Sequence, residues 1–176
     1  MAIRTIVKDG DPILKKMCRP VTEFNAKLAT LLDDMGETMI AANGLGLAGP
    51  QVGMMRRLFV ALDIYEDEDG NEVEEILEFV NPEVLEVSKE TITSFEGCLS
   101  FPGRNGLITR PEYVRARAQD RNGEWFEIEA EGLLARCICH ENDHLNGVTV
   151  LDNAKIFYED LTEEQLKEIQ AREDYE

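Results

Sequence analysis

The chain has 176 residues, about one domain's worth, and its 43% hydrophobic content suffices for one buried core without disulfide staples. Eighteen Lys and Arg against 36 Asp and Glu give a formal charge of −18, which argues against nucleic-acid or anionic-lipid binding through a basic face. The opening MAIRTIVKDGDP meets charged and turn-forming residues before an apolar stretch of about seven, and no apolar run approaches about 18, so neither a signal peptide nor a membrane span is expected. Cys18, Cys98, Cys137 and Cys139 lack the density of a secreted disulfide scaffold, so a reducing, cytoplasmic setting is expected.

From Phe24 to Ala42, Leu28, Leu31, Leu32, Met35, Met39 and Ile40 recur at spacings of three and four, predicting an amphipathic helix that AsnGly at 43–44 ends. The segment GLGLAGPQVG (44–53) carries four glycines and a proline, predicting a specialised loop rather than a helix or strand. RRLFVALDI (56–64) reads as a buried strand, and EDEDGNEVEE (66–75) as a solvated hairpin turn around AspGly at 69–70. Between Ile76 and Ala130, ILEFV, EVLEV, TITSF, EYVRARAQD and EWFEIEA are separated by AsnPro, ProGly, ArgPro and AsnGly turns, the pattern of a largely antiparallel sheet.

A helix is predicted from Glu131 to Asn146, ending at Gly147. Thr162 and Gln165 form a capping box, with Leu161 and Leu166 placed as a hydrophobic staple, for a final helix of about twelve residues. Its acids (Glu163, Glu164, Glu168, Glu173, Asp174, Glu176) outweigh Lys167 and Arg172, so docking on ribosomal RNA is not expected. The expected fold is one α+β domain over 1–176, with antiparallel sheets around a central helix and further helices toward each end.

That central helix holds both histidines of the chain, His140 and His144, in HENDH. Four residues apart, they lie about 40° apart on one helix face, so both imidazoles can reach one metal ion while Glu141 projects beside them. The plainer reading is a surface histidine pair flanked by acids. A third ligand must come from a carboxylate or a thiol. Cys139 points about 120° from the histidine face, at 3.6 residues per turn, and reads as a core residue. Cys137 lies on that face one turn earlier, and Cys98, in EGCLS after a predicted strand, can approach from a separate loop. Spacing leaves both thiols open.

GLGLAGPQ (44–51), EGCLS (96–100) and HENDHLNG (140–147), in this order and separation, resemble the three motifs of the peptide deformylases, and the opening IVKDGDPILKKMCRPV resembles that family's N-terminal segment. The resemblance implies a hydrolase that removes the formyl group from N-formylmethionyl nascent peptides. It implies Cys98, His140 and His144 as ligands of one divalent ion, Fe(II), with zinc, nickel or cobalt as substitutes. It further implies Glu141 as general acid and base, and Gln51 with the Leu99 N–H as partners of the oxyanion. The Gly46 backbone would align the substrate, and Leu133 and Cys137 would line the methionine pocket. Three positions depart from the family pattern: Gly49 stands where a second alanine is usual, Asn142 where an apolar residue is common, and Cys139 where glutamine is frequent. Gly49 is expected to loosen the loop that aims Gln51.

A thiolate and two imidazoles around an ion leave a position for water, whose pKa falls far enough to supply hydroxide near neutral pH. That hydroxide would attack the formyl carbon, with Glu141 moving the proton. Competing readings are a general zinc peptidase built on HExxH and a closed zinc site that only holds the fold.

Overall fold

A computed structural model describes residues 2–173. Helix α1 (Ala26–Ala41) starts where the Asn25 Oδ1 accepts the Leu28 N–H at 3.1 Å, an N-cap bond, and buries Leu28, Leu31, Leu32, Met35 and Met39. Strands β1 (Gly46–Ala48), β2 (Leu58–Glu66), β3 (Glu72–Val87), β6 (Tyr113–Gln119) and β7 (Trp125–Glu131) form one antiparallel sheet in the order β1-β2-β3-β6-β7. Strands β4 (Thr91–Gly97) and β5 (Asn105–Pro111) form a separate two-stranded sheet. Helix α2 (Gly132–Leu145) follows β7 directly, then short α3 (Val150–Asn153) and α4 (Glu163–Glu173).

The period-2 alternation of β2 explains the layering. Leu58 and Val60 pack with Leu32, Met35 and Met39 of α1, whereas Phe59 and Ala61 pack with Ala135, Ile138 and Leu145 of α2. The main sheet is therefore covered on both faces, and Phe59 and Phe79 stack at 4.6 Å between ring centroids in the α2 layer. Each such fully buried side chain contributes about 1.5–3 kcal/mol. A third cluster of Leu14, Phe101, Ile108, Val150 and Ala154 joins β5 to α3.

The structure changes two expectations. Gly46–Ala48 is a strand after all, because its backbone pairs with Phe59–Ala61. ILEFV and EVLEV are not two strands but parts of β3, which runs through AsnPro at 81–82. The register shifts between Val80 and Glu83, where Asn81 takes φ 50°, so the residue without an N–H falls at a bulge. The Asn81 side chain accepts from Val21 N at 2.8 Å and donates to Val21 O at 2.9 Å, recovering the bonds that the bulge forgoes.

The predicted hairpin joins β2 and β3, with Asp67 Oδ1 accepting the N–H groups of Asp69 and Asn71. The capping box also forms: the Thr162 N–H donates to Gln165 Oε1 at 3.0 Å, and the Gln165 N–H to Thr162 Oγ1 at 3.2 Å. Of the acids assigned to α4, Asp174 and Glu176 lie outside the described residues. No helix among the described residues is long and apolar enough to cross a membrane.

Candidate active site

Three segments converge beside α2: the β1 loop, the end of β4 and the helix itself. Cys98 follows β4 directly, and its Sγ lies 3.3 Å from His144 Nε2. One ligand atom from each of Cys98, His140 and His144 lies within 4.8 Å of the others. Cys137 is not among them: it is buried, and its Sγ donates to Leu45 O at 3.1 Å. The structure therefore brings Cys98, and not Cys137, to the imidazoles. Cys139 is half-buried, packs against the α2 core, and burial pushes its thiol up to about 11.

Glu96 fixes the His140 ring. Its Oε1 lies 2.9 Å from His140 Nδ1, which leaves Nε2 for the thiol side. Arg110 holds the same carboxylate with two bonds of 2.9 and 3.0 Å, Arg136 donates to it as well, and Arg110 Nη1 reaches Asp143 Oδ2 at 2.7 Å. Burial raises the Glu96 pKa, but hydrogen bonds from His140 and Arg110 outweigh it and hold the group at about 2.

Glu141 has no such company. It is 3% exposed, its Oε2 has no partner among the described residues, and burial pushes its pKa up to about 7. Its Oε1 lies 3.8 Å from His140 Nε2. Burial drives His144 down to about 3, which keeps it neutral and able to ligate. For His140, burial lowers the pKa, yet hydrogen bonding to Cys98 and Glu96 raises it to about 10. A thiol and two imidazole nitrogens within 4.8 Å of one another, beside a buried carboxylate oxygen with no hydrogen-bond partner among the described residues, fit a bound cation.

Gln51 is buried in the 3-10 turn Gly49–Val52. Its Oε1 accepts Ala48 N–H at 2.9 Å, and its Nε2 donates to Ser100 Oγ at 3.1 Å while facing Cys98 Sγ at 3.4 Å. Gly49 does not loosen this turn. A Cβ there would sit 2.6 Å from Met54 O and 2.7 Å from Arg56 O, so the missing side chain lets the turn close against the backbone. Gly46 is likewise pressed on α2, where a Cβ would lie 2.6 Å from Glu141 Oε1. Leu99 stands half-buried across the cleft, its carbonyl accepting from Lys8 Nζ at 3.2 Å.

Gly46, Gln51, Cys98, Leu99, His140 and Glu141 line one cavity of about 400 Å³, together with Leu133, which is 55% exposed at its edge, and with Arg104 and Arg136. Glu96, Arg110, Arg136 and Asp143 have no role in the motif reading. Glu96 lies two residues before Cys98 at the end of one strand, a spacing that could have marked it as sharing the Cys98 side. Arg110 was hidden by reading ArgPro as a turn.

Fold and site together define an α+β domain with a thiol and two imidazoles that could hold a metal ion, beside a buried glutamate with one oxygen lacking a hydrogen bond among the described residues. The polypeptide deformylase family model matches residues 3–158. The peptide deformylase of Agathobacter rectalis is 48% identical over 168 residues, covering 96% of this chain and all of that relative. The crystal structure of peptide deformylase from Thermotoga maritima superposes with a TM-score of 0.78 at 40% identity, over 88% of this chain and 99% of that one. A class I type b peptide deformylase from Acinetobacter baumannii, solved with Met-Ala-Ser bound, gives a TM-score of 0.78 at 34% identity, over 86% and 98%. The chain belongs to the peptide deformylase family and is an enzyme of that family.

Proposed function

We propose that the whole chain, 1–176, acts in the cytoplasm as one catalytic domain that removes the formyl group from the N-terminal formylmethionine of nascent polypeptides, releasing formate. The observation that carries this reading is the convergence of one ligand atom each from Cys98, His140 and His144 at a cavity that Cys98, His140, Glu141 and Gln51 line, with Glu141 Oε2 lacking a hydrogen-bond partner among the described residues. Cys98 Sγ and the two imidazoles would hold one divalent ion, Fe(II), with zinc, nickel or cobalt as substitutes. When bound, the ion supplies Lewis acidity that acidifies a water and polarises the formyl oxygen.

The remaining work falls to the chain. Glu141 takes the proton from the attacking water at Oε2 and passes it to the leaving amine, so water is split between formate and the new N-terminus. Gln51 Nε2 and the Leu99 N–H donate to the developing oxyanion, and the Gln51 bond to Ala48 keeps its Nε2 turned inward. The Gly46 backbone aligns the extended peptide, and Leu133 and Cys137 take the methionine side chain. The Acinetobacter relative was solved with Met-Ala-Ser bound, a peptide that begins with methionine as the proposed substrate does. With a charge of −18, the enzyme meets its substrate as a peptide rather than through nucleic acid.

The test is anaerobic purification with metal analysis, followed by formate release from a formyl-Met peptide. One equivalent of iron, turnover that decays in air, and a nickel form that survives longer are expected. Absence of formate release, or a bound metal that takes no hydroxamate, would overturn the reading in favour of a closed structural site.

A further inference from the structure

The charged residues lining the cavity divide by depth. Glu96, His140 and Glu141 are inside, and Arg136 turns inward: Nη1 donates to Glu96 and to Ile108 O, and Nη2 to Ile92 O at 2.7 Å. Arg104 differs. It sits on the turn between β4 and β5 with its side chain 43% exposed, yet it lines the same cavity.

Two contacts fix its guanidinium. Its Nε pairs with Glu159 Oε1 at 2.6 Å, and its Cζ lies 4.2 Å from the centroid of the Phe157 ring. Both partners belong to one segment that is itself held down. The Leu107 N–H donates to Ile156 O at 2.8 Å, the Asn105 N–H to Glu159 Oε2 at 3.1 Å, and Tyr158 meets Phe95 edge-on. The Phe157 ring faces the guanidinium and Glu159 pairs with its Nε, while Nη1 and Nη2 make no hydrogen bond to the described residues. This is a pre-positioned cation with donors to spare at the edge of the cleft, and the cavity's other carboxylates, Glu96 and Glu141, lie deep.

The geometry points to Arg104 as a specificity residue that reads an acidic side chain in the two residues following formylmethionine. This rests on the deformylase reading, which sets the formyl group at Cys98, His140 and His144 and the methionine at Leu133 and Cys137. Gly97, beside Cys98, has Asn105, the neighbour of Arg104, as its cross-strand partner, and all three line the cavity, so a peptide that leaves the site along this wall passes Arg104. Glu159 and solvent moderate the attraction, so an aspartate in reach gains about threefold in kcat/KM over alanine, and a lysine loses about threefold.

The experiment compares kcat/KM on amidated formyl-Met-Ala-Ser with the same peptide carrying Asp or Lys in place of Ala or of Ser. The quantity read is the ratio between peptides within one preparation, which metal loading and folded fraction do not move. The order Asp, Ala, Lys is expected at one of the two positions, compressed in about 0.5 M salt. Arg104→Met should flatten the order and Arg104→Glu should invert it. No order in the native enzyme, or an unchanged order in Arg104→Met, would overturn the assignment while leaving deformylation intact. Failure to release formate from any of the peptides would bring down the deformylase reading and this assignment with it.

Discussion

Two buried glutamates face opposite nitrogens of the His140 ring, and their surroundings differ in kind. Glu96 is saturated: two arginines and the imidazole satisfy its carboxylate, and Arg110 links it onward to Asp143. Glu141 is equally buried and keeps one oxygen without a hydrogen-bond partner among the described residues. The same side chain, on strand β4 in one case and helix α2 in the other, is a fixed anion in one place and in the other a carboxyl whose pKa burial lifts to about 7. What separates them is pairing rather than burial, since burial alone pushes both pKa values up. Glu96, saturated, orients the His140 ring, whereas Glu141 keeps an oxygen open to a further partner.

Removing the thiol tests that division most severely. Cys98→Ala should lose metal and turnover together, whereas Cys137→Ala, whose Sγ is spent on Leu45 O, should keep its metal and mainly weaken methionine binding. Metal stoichiometry and kinetics on formyl-Met and formyl-Ala peptides decide it, and the opposite metal contents would reverse the ligand assignment. Next in size, Glu141→Gln should retain metal while turnover falls by about a hundredfold or more. Near-normal turnover would remove Glu141 from the chemistry.

On the saturated side the readout changes from rate to stability. Arg110→Met strands a buried carboxylate with fewer partners and should cost about 3 kcal/mol in denaturant unfolding at neutral pH, compared at matched metal content. Glu96 has a depressed folded pKa, so its pairing stabilises above the unfolded value of about 4.3 and is lost as pH falls from there toward about 2. The deficit of Arg110→Met should therefore shrink through that window, and a pH-independent deficit would contradict the pairing argument. Smallest is Gly49→Ala, where a Cβ would press on two carbonyls. A loss of about 1–3 kcal/mol is expected, visible as a lower Tm, with a lower kcat as Gln51 shifts. Unchanged values for both would show that the turn is slack.

Legibility followed the range of the interactions. HENDH, the amphipathic α1 and the Thr162–Gln165 box are set within a few residues, and their local period or spacing appears directly in the chain. Spacing and helix geometry only leaned to Cys98 over Cys137, because a loop's direction is settled by packing elsewhere, and the family resemblance made the same choice. The Glu96, Arg110 and Arg136 network joins two strands and a helix, and no local pattern announces such pairing. The continuity of β3 through AsnPro was hidden for a related reason: the Asn81 side chain bonds to Val21, sixty positions away, to sustain what reads locally as a turn.

The β2–β3 hairpin carries a practical consequence. Ala61 pairs with Gly46 at the cleft, while Glu66 pairs with Glu72 at the tip, about 17 Å further along the strand at roughly 3.3 Å per residue. The tip is exposed and closed by the Asp67 side chain, and lengthening such a turn costs free energy only as the logarithm of its length. It is thus a grafting point: an affinity peptide or fluorescent reporter spliced between Asp67 and Asn71 would immobilise or track the enzyme with its catalytic centre unobstructed.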